Sequence, residues 1–181
     1  MTKKLVQVVD YDPDWPSRFE VLQAKLWPDL AKVALAIEHV GSTSVPGLTS
    51  KPIIDAAIVV ETRDDLPAVI AVLAEHGYGH RGDLGVAGRE SFRQPADMFK
   101  HHLYACAQDN LGLRNHLVLR DALRADASLA REYGDLKRGL AECFAYDIDA
   151  YIAGKTEFIL GVLRNAGFTD DDLSEIRAVN T

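Results

Sequence analysis

Residues 38–55 read EHVGSTSVPGLTSKPIID, and the fold turns on how this stretch is parsed. An apolar run at residues 36–40 stops at Gly41-Ser42-Thr43-Ser44. A Pro46-Gly47 turn follows, and Lys51 opens a second apolar run that carries one carboxylate, Asp55. Residues 37–40 and 52–60 are therefore expected to be neighbouring strands joined by a Gly- and Ser-rich turn. Ile53, Ile54, Ile58, Val59 and Val60 make the second strand nearly continuous in apolar residues, the pattern of a strand buried on both faces. Hydroxyls, backbone N–H groups, a cation and an acid are thus concentrated between two strands. Small residues with exposed N–H groups at a strand end can cradle phosphate oxygens.

Spacing excludes two familiar motifs. A Walker loop ends in Gly-Lys-Ser/Thr, whereas Gly47 is followed by Leu48 and Lys51 lies four residues on. The G-x-S-x-G of a nucleophile elbow is absent, because Val45-Pro46 follows Ser44. An isolated Gly-Ser-Thr is explained as well by a structural turn whose hydroxyls cap a helix, so the loop's context has to decide.

Working outward, residues 5–9 read as a first strand. Tyr11-Asp12-Pro13 reads as the entry to a helix, with Asp12 as cap and Pro13 at the first helical position. Trp15, Phe19, Leu22 and Leu26 recur at helical spacing, and Pro28 is expected to break or kink that helix. Residues 65–76 predict a helix stopped by Gly77. Residues 78–80, 88–93 and 102–107 predict strands, with Gly82, Gly85 and Gly88 marking a mobile hairpin loop. Beyond Asn110 the pattern is helical: Leu129, Tyr133, Leu136, Leu140 and Phe144 form one stripe, and Ile148, Ile152, Ile159 and Leu163 another. The expected architecture is α+β, a mixed sheet followed by a helical half, in one domain of 181 residues. Its parts are a sheet core over residues 1–108, a helical half over 109–168, and a solvated polar tail over 169–181 that begins near Asp170-Asp171-Asp172.

Bulk composition narrows the function. A formal net charge of −7 argues against sequence-independent nucleic-acid binding, which relies on a basic face. No stretch approaches the roughly 20 apolar residues of a membrane span, and the N-terminus lacks the apolar run of a signal peptide. The expected location is cytoplasmic and the expected partner a small molecule; oligomeric state is not specified. Cys106 and Cys143 have no CxxC spacing and read as reduced residues.

The Gly-Ser turn followed about a dozen residues later by an acid on a buried strand resembles the nucleotidyltransferase superfamily of the DNA polymerase beta type. More specifically, GSTSVPGL…KPIID resembles the GrpB family. The likeness extends to VDYDPDWPSRF near the start, HHLY at residues 101–104, RNHLVLRDALR at 114–124, YGDLK at 133–137 and YIAGKTEFI at 151–159. It implies a nucleotidyltransferase-like sheet with flanking helices and a C-terminal helical bundle. Some family members are fused to dephospho-CoA kinase, which hints at nucleotide or coenzyme chemistry.

The resemblance also assigns roles. In the superfamily a Gly-Ser holds the triphosphate, here Gly41 and Ser42 with Thr43 and Ser44, while a D-x-D or D-x-E pair binds magnesium. Asp55 is present, but Ala57 occupies the place of the second acid. Residues two apart on a strand share a face, so position 57 should have completed the metal grip. Asp55 alone leaves at best a weaker single-ion site, and Mg2+ as cofactor is in doubt. Glu38 on the preceding strand is a substitute metal ligand if it faces Asp55. Alternation allows only one of Glu38 and His39 to do so. His102 and Tyr104 share a face of a later strand, where the superfamily often carries its third acid, and His102 suits general-base work better than magnesium binding. His101 then faces away. Lys51 and a helical cationic set, Arg120, Lys137 and Lys155 with Tyr151, are candidates for closing over a phosphate; surface ion pairs are the plainer explanation of any one of them.

Two functions from different classes follow. The first is a nucleotide- or phosphate-ligand-binding protein that transfers a nucleotidyl group to a small acceptor, with Asp55 and His102 catalytic. The second is a non-catalytic nucleotide- or coenzyme-binding module that has lost the metal pair. A metal-dependent hydrolase built on Glu38, Asp55 and His102 is a weaker third.

Overall fold

The computed structural model describes residues 5–179. Helix α1 (Trp15–Leu30) leads to strand β1 (Ala36–Val40), a single 3-10 turn at Ser42–Ser44, and strand β2 (Ile54–Val60). Helix α2 (Leu66–Glu75) follows, then β3 (Gly79–His80), β4 (Arg89–Arg93) and β5 (His101–Ala107). The second half is helical: α3 (Leu111–Ala125), α4 (Ala127–Cys143), α5 (Ile148–Ala153), α6 (Thr156–Asn165) and α7 (Asp170–Val179). The strands form one mixed sheet in the order β1-β2-β5-β4-β3, with β2 and β5 parallel and the other pairs antiparallel. The α+β expectation is met.

Strand alternation divides the sheet into two unlike faces. Ala56, Ile58 and Val60 of β2, with Leu103, Ala105 and Ala107 of β5, pack beneath Leu22, Leu26 and Leu30 of α1 and Leu66, Val69 and Leu73 of α2. The opposite face begins at Val40, Ala57, Val59 and Cys106, which lie under Leu113 of α3. Beyond this small apolar cluster, the second face gives way to Asp55, His102 and Tyr104. Side-chain carboxylates and amides start the helices that cover it: Asn110 accepts from the Leu113 N–H, Asp126 from the Ser128 and Leu129 N–H groups, and Asp147 from the Ala150 N–H.

Several expectations are corrected. Residues 5–9 form no strand; Val9 makes an isolated bridge to Ser50, exchanging two backbone bonds of 2.9 and 3.0 Å. Asp12 does not cap α1. The helix begins at Trp15 with Asp14 at the cap position and Pro16 in the first turn, while Asp12 closes the preceding turn on the Asp14 N–H and pairs with Arg18. Pro28 stays inside α1, where it deprives only the exposed Ala24 carbonyl of a partner, and water can take that place. The helix is held regardless, because Trp15, Leu22, Leu26 and Leu30 are all fully buried.

The polar tail is the largest correction. Residues 170–179 form α7. Asp170, Asp171 and Asp172 occupy its first turn, where the helix dipole favours negative charge, and Leu173 and Ile176 are buried against Leu160, Leu163 and Phe168.

Candidate functional site

Three segments bring the chemistry together. Asp55 near the start of β2 lies directly opposite Val40 at the end of β1 and His102 near the start of β5. Gly41 and Ser42 follow β1 and so lie beside Asp55. Gly41 has φ +70° and ψ −175°, a backbone region essentially reserved for glycine. A Cβ at this position would stand 2.6 Å from Asp55 Oδ2, so the loop backbone approaches the carboxylate only because residue 41 has no side chain.

The open half of this sheet face forms the floor of a cavity of about 590 Å³, roofed by the helical half. Gly41, Ser42, Lys51, Asp55, His102 and Tyr104 line it from the sheet side. Arg120, Lys137, Tyr151 and Lys155 line it from α3, α4, α5 and the start of α6. Residues far apart in the chain, from Gly41 to Lys155, therefore converge on one space.

Thr43, Ser44 and Glu38 do not line it. Thr43 and Ser44 are buried. The Thr43 hydroxyl is 3.0 Å from His39 Nε2, and the Ser44 hydroxyl donates to the Gly41 carbonyl at 2.6 Å. Both hydroxyls are used to hold the turn in shape. Glu38 shares the face of Asp55, as the Val40–Asp55 and Glu38–Ala57 pairings require, but its Oε2 accepts from Arg120 Nη1 at 2.7 Å. His39 faces the other way, stacked on Phe19, and burial lowers its pKa to about 4. His101 also faces away, 2.7 Å from the Tyr78 hydroxyl.

The Asp55 carboxylate is engaged by His102, whose Nδ1 lies 2.8 Å from Oδ1. The donor set for a magnesium pair is incomplete: Ala57 supplies no oxygen, Glu38 is tied to Arg120, and Asp55 already holds an imidazole. Among the described residues no three His, Cys, Asp or Glu side chains are close enough to hold a metal ion. Residues of this composition do not fit a two-metal centre, which needs several carboxylate oxygens around ions about 4 Å apart.

Positive charge is better represented. The Lys51 and Lys155 ammonium groups lie 5.7 and 4.7 Å from the centroid of the same buried Tyr151 ring. Burial, reinforced by Lys51, lowers the Lys155 pKa to about 8, with Asp55 opposing the shift. Lys137 is almost wholly buried, donates to the Thr49 carbonyl, and is lowered to about 7 by burial and by the charges of Lys155 and Arg138. Tyr104 is raised to about 12 by burial and by Asp55, so its phenol stays protonated.

Sequence reasoning missed part of the lining. Arg89 of β4 places its guanidinium 4.4 Å from the Tyr104 ring centroid, and its Nε is buried without a hydrogen-bond partner among the described residues. Asn115 Oδ1 on α3 is likewise buried and unpartnered, and neighbouring His116 is lowered in pKa by burial. Arg63, after β2, and Glu175, Ile176 and Val179 of α7 complete the wall. His116 was accessible to pattern reading, because it stands one helical turn before Arg120 and shares its face.

Comparison with known proteins agrees with this geometry at the level of fold and family. The sequence model described as GrpB protein matches residues 5–165. The chain is 34% identical over 164 residues to the UPF0157 protein YqkA of Bacillus subtilis, covering 91% of this chain and 48% of that one. It thus spans about half the length of that relative. The crystal structure of the conserved protein GrpB from Enterococcus faecalis superposes with a TM-score of 0.77 at 32% identity, covering 93% of this chain and 98% of that one. Cid1 poly(U) polymerase with MgGTP bound superposes with a TM-score of 0.53 at 15% identity, covering 74% of this chain and 44% of that one. The latter shows a nucleotidyltransferase-like fold and no more. No helix among the described residues is long and apolar enough to cross a membrane.

Proposed function

The chain belongs to the GrpB family, and from that premise we propose that its cavity binds a phosphate-bearing small molecule of the nucleotide or coenzyme class. The observation that carries the reading is the convergence of Lys51, Lys137 and Lys155 on a space that also holds the Gly41-Ser42 turn. Two of these lysines have pKa values lowered by burial and by other cations, so their charged forms are only partly compensated in the ligand-free protein. A polyanion would supply the rest. The planar Arg89 guanidinium and the Tyr104 ring beside it give the lining a flat group next to the charge, of the kind against which a heterocycle stacks.

Nucleotidyl transfer to a small acceptor is the catalytic form of this reading, and the non-catalytic module is its rival. Asp55 and His102 in contact favour the former; Ala57 favours the latter. Isothermal titration with ATP, GTP, CTP, UTP and coenzyme A, in magnesium and in EDTA, tests the shared claim. At least one should bind saturably, and Lys155→Met should weaken it about tenfold or more, the scale of a lost charge-assisted hydrogen bond. Failure of every ligand in the panel would refute the binding reading.

A further inference from the structure

The fold family implies divalent ions, yet Ala57 stands where a second acid would sit and Glu38 is bonded to Arg120. Asp55 is partnered by His102 instead. We infer that His102, oriented by Asp55, is the general base of a metal-independent phosphate-transfer site. The inference rests on the phosphate-binding reading above.

Four observations converge on it. Asp55 and His102 are directly opposed across the parallel β2–β5 pair, so the backbone register itself sets their contact. The carboxylate lies 2.8 Å from Nδ1, and an ionised carboxylate only accepts, so Nδ1 carries the proton of the neutral ring and Nε2 keeps its lone pair. Nε2 has no hydrogen-bond partner among the described residues, and the His102 side chain is 44% exposed on the cavity wall. Finally, Arg120 occupies the Glu38 carboxylate and Ala57 replaces the second acid, so no neighbouring carboxylate joins Asp55 in a metal grip.

The step balances without a metal. A water or alcohol hydroxyl attacks the α-phosphorus of a bound nucleoside triphosphate while its proton passes to His102 Nε2. One P–O bond forms, the P–O bond to pyrophosphate breaks, and the proton leaves His102 for solvent on turnover. Charge on the departing pyrophosphate is met by Lys51 and Lys155 in place of the missing ions. Positioned side-chain charge is able to stabilise such a transition state, because the phosphoryl group needs orientation and electrostatic support more than covalent chemistry.

The test uses the whole protein, with α-labelled ATP, GTP, CTP and UTP and water as acceptor, assayed in EDTA and in magnesium. Ligand binding is measured in parallel by calorimetry. Labelled nucleoside monophosphate should form in EDTA at a rate within about threefold of that in magnesium. His102→Gln should lower turnover about 100-fold, in the range of a lost general base. Asp55→Asn should lower turnover and switch the His102 tautomer, seen directly as protonation moving to Nε2 in 15N imidazole spectra. Turnover that requires a divalent ion, or binding without any turnover in EDTA, would overturn the inference and leave the binding reading standing. Absence of binding would remove both. An unchanged 15N spectrum in Asp55→Asn would by itself refute the positioning role of Asp55.

Discussion

At the scale of single residues, the site is distinguished by how its charges are partnered. Glu38 and Asp55 share a sheet face, yet one holds Arg120 and the other holds His102. Lys155 is the opposite case, a cation whose burial beside Lys51 brings its pKa down to about 8. A bound phosphate would favour the charged form and raise that pKa again. Lys137, lowered to about 7, faces the same space, so affinity should be fullest below about pH 7 and decline as pH rises through 7 to 8. At pH 8 both lysines are partly neutral in the free protein, so binding should take up protons. Calorimetry in buffers of differing ionisation enthalpy measures the uptake, and Lys155→Met should reduce it. Proton release on binding would contradict the assignment. Much of this residue-level picture was legible in advance. Asp55, His102, Tyr104 and Lys155 stand in conspicuous motifs, and strand alternation put His102 and Tyr104 on one face. The contact between Asp55 and His102 was not legible, because it depends on parallel pairing of segments 47 residues apart.

At the scale of elements, the decisive piece is the turn from β1 into the 3-10 segment Ser42–Ser44. Its hydroxyls at 43 and 44 are consumed in shaping it, and its approach to Asp55 depends on Gly41. Gly41→Ala should cost about 1–3 kcal/mol of stability from backbone strain, read by urea denaturation. It should also displace the Asp55 carboxylate and loosen its contact with His102. A variant as stable as wild type would mean that the turn is not held in this conformation. The sequence revealed this turn and both its strands, but it misled at α1 and α7. Pro28 sits where its ring and its missing N–H cost little, near the end of a helix anchored by four buried side chains. Asp170-Asp171-Asp172 looked like solvated tail because three acids in a row hide the spacing that follows. Leu173 and Ile176 are three residues apart on one helix face, and both are buried.

At the scale of the whole molecule, charge is distributed unevenly. The chain carries a net charge of −7, while the cavity over the sheet is lined by Lys51, Lys137, Lys155, Arg63, Arg89 and Arg120 against Asp55, Asp109 and Glu175. Net charge excluded a broad basic face but was blind to a basic interior gathered from both halves of the chain. The α+β class and the GrpB resemblance were readable from local motifs. The roof over the sheet was not, because only packing reveals that α3 to α7 fold back over β2 and β5. The central claim is that this space holds phosphate, and the most direct measurement is a crystal structure of the protein grown in EDTA with the nucleoside triphosphate that it binds best. Phosphate density is expected between the Gly41-Ser42 backbone and the ammonium groups of Lys51 and Lys155, with His102 Nε2 facing the α-phosphorus. Density for the nucleotide elsewhere on the molecule, or a cavity that stays free of it at saturating concentration, would rule out phosphate binding in this space.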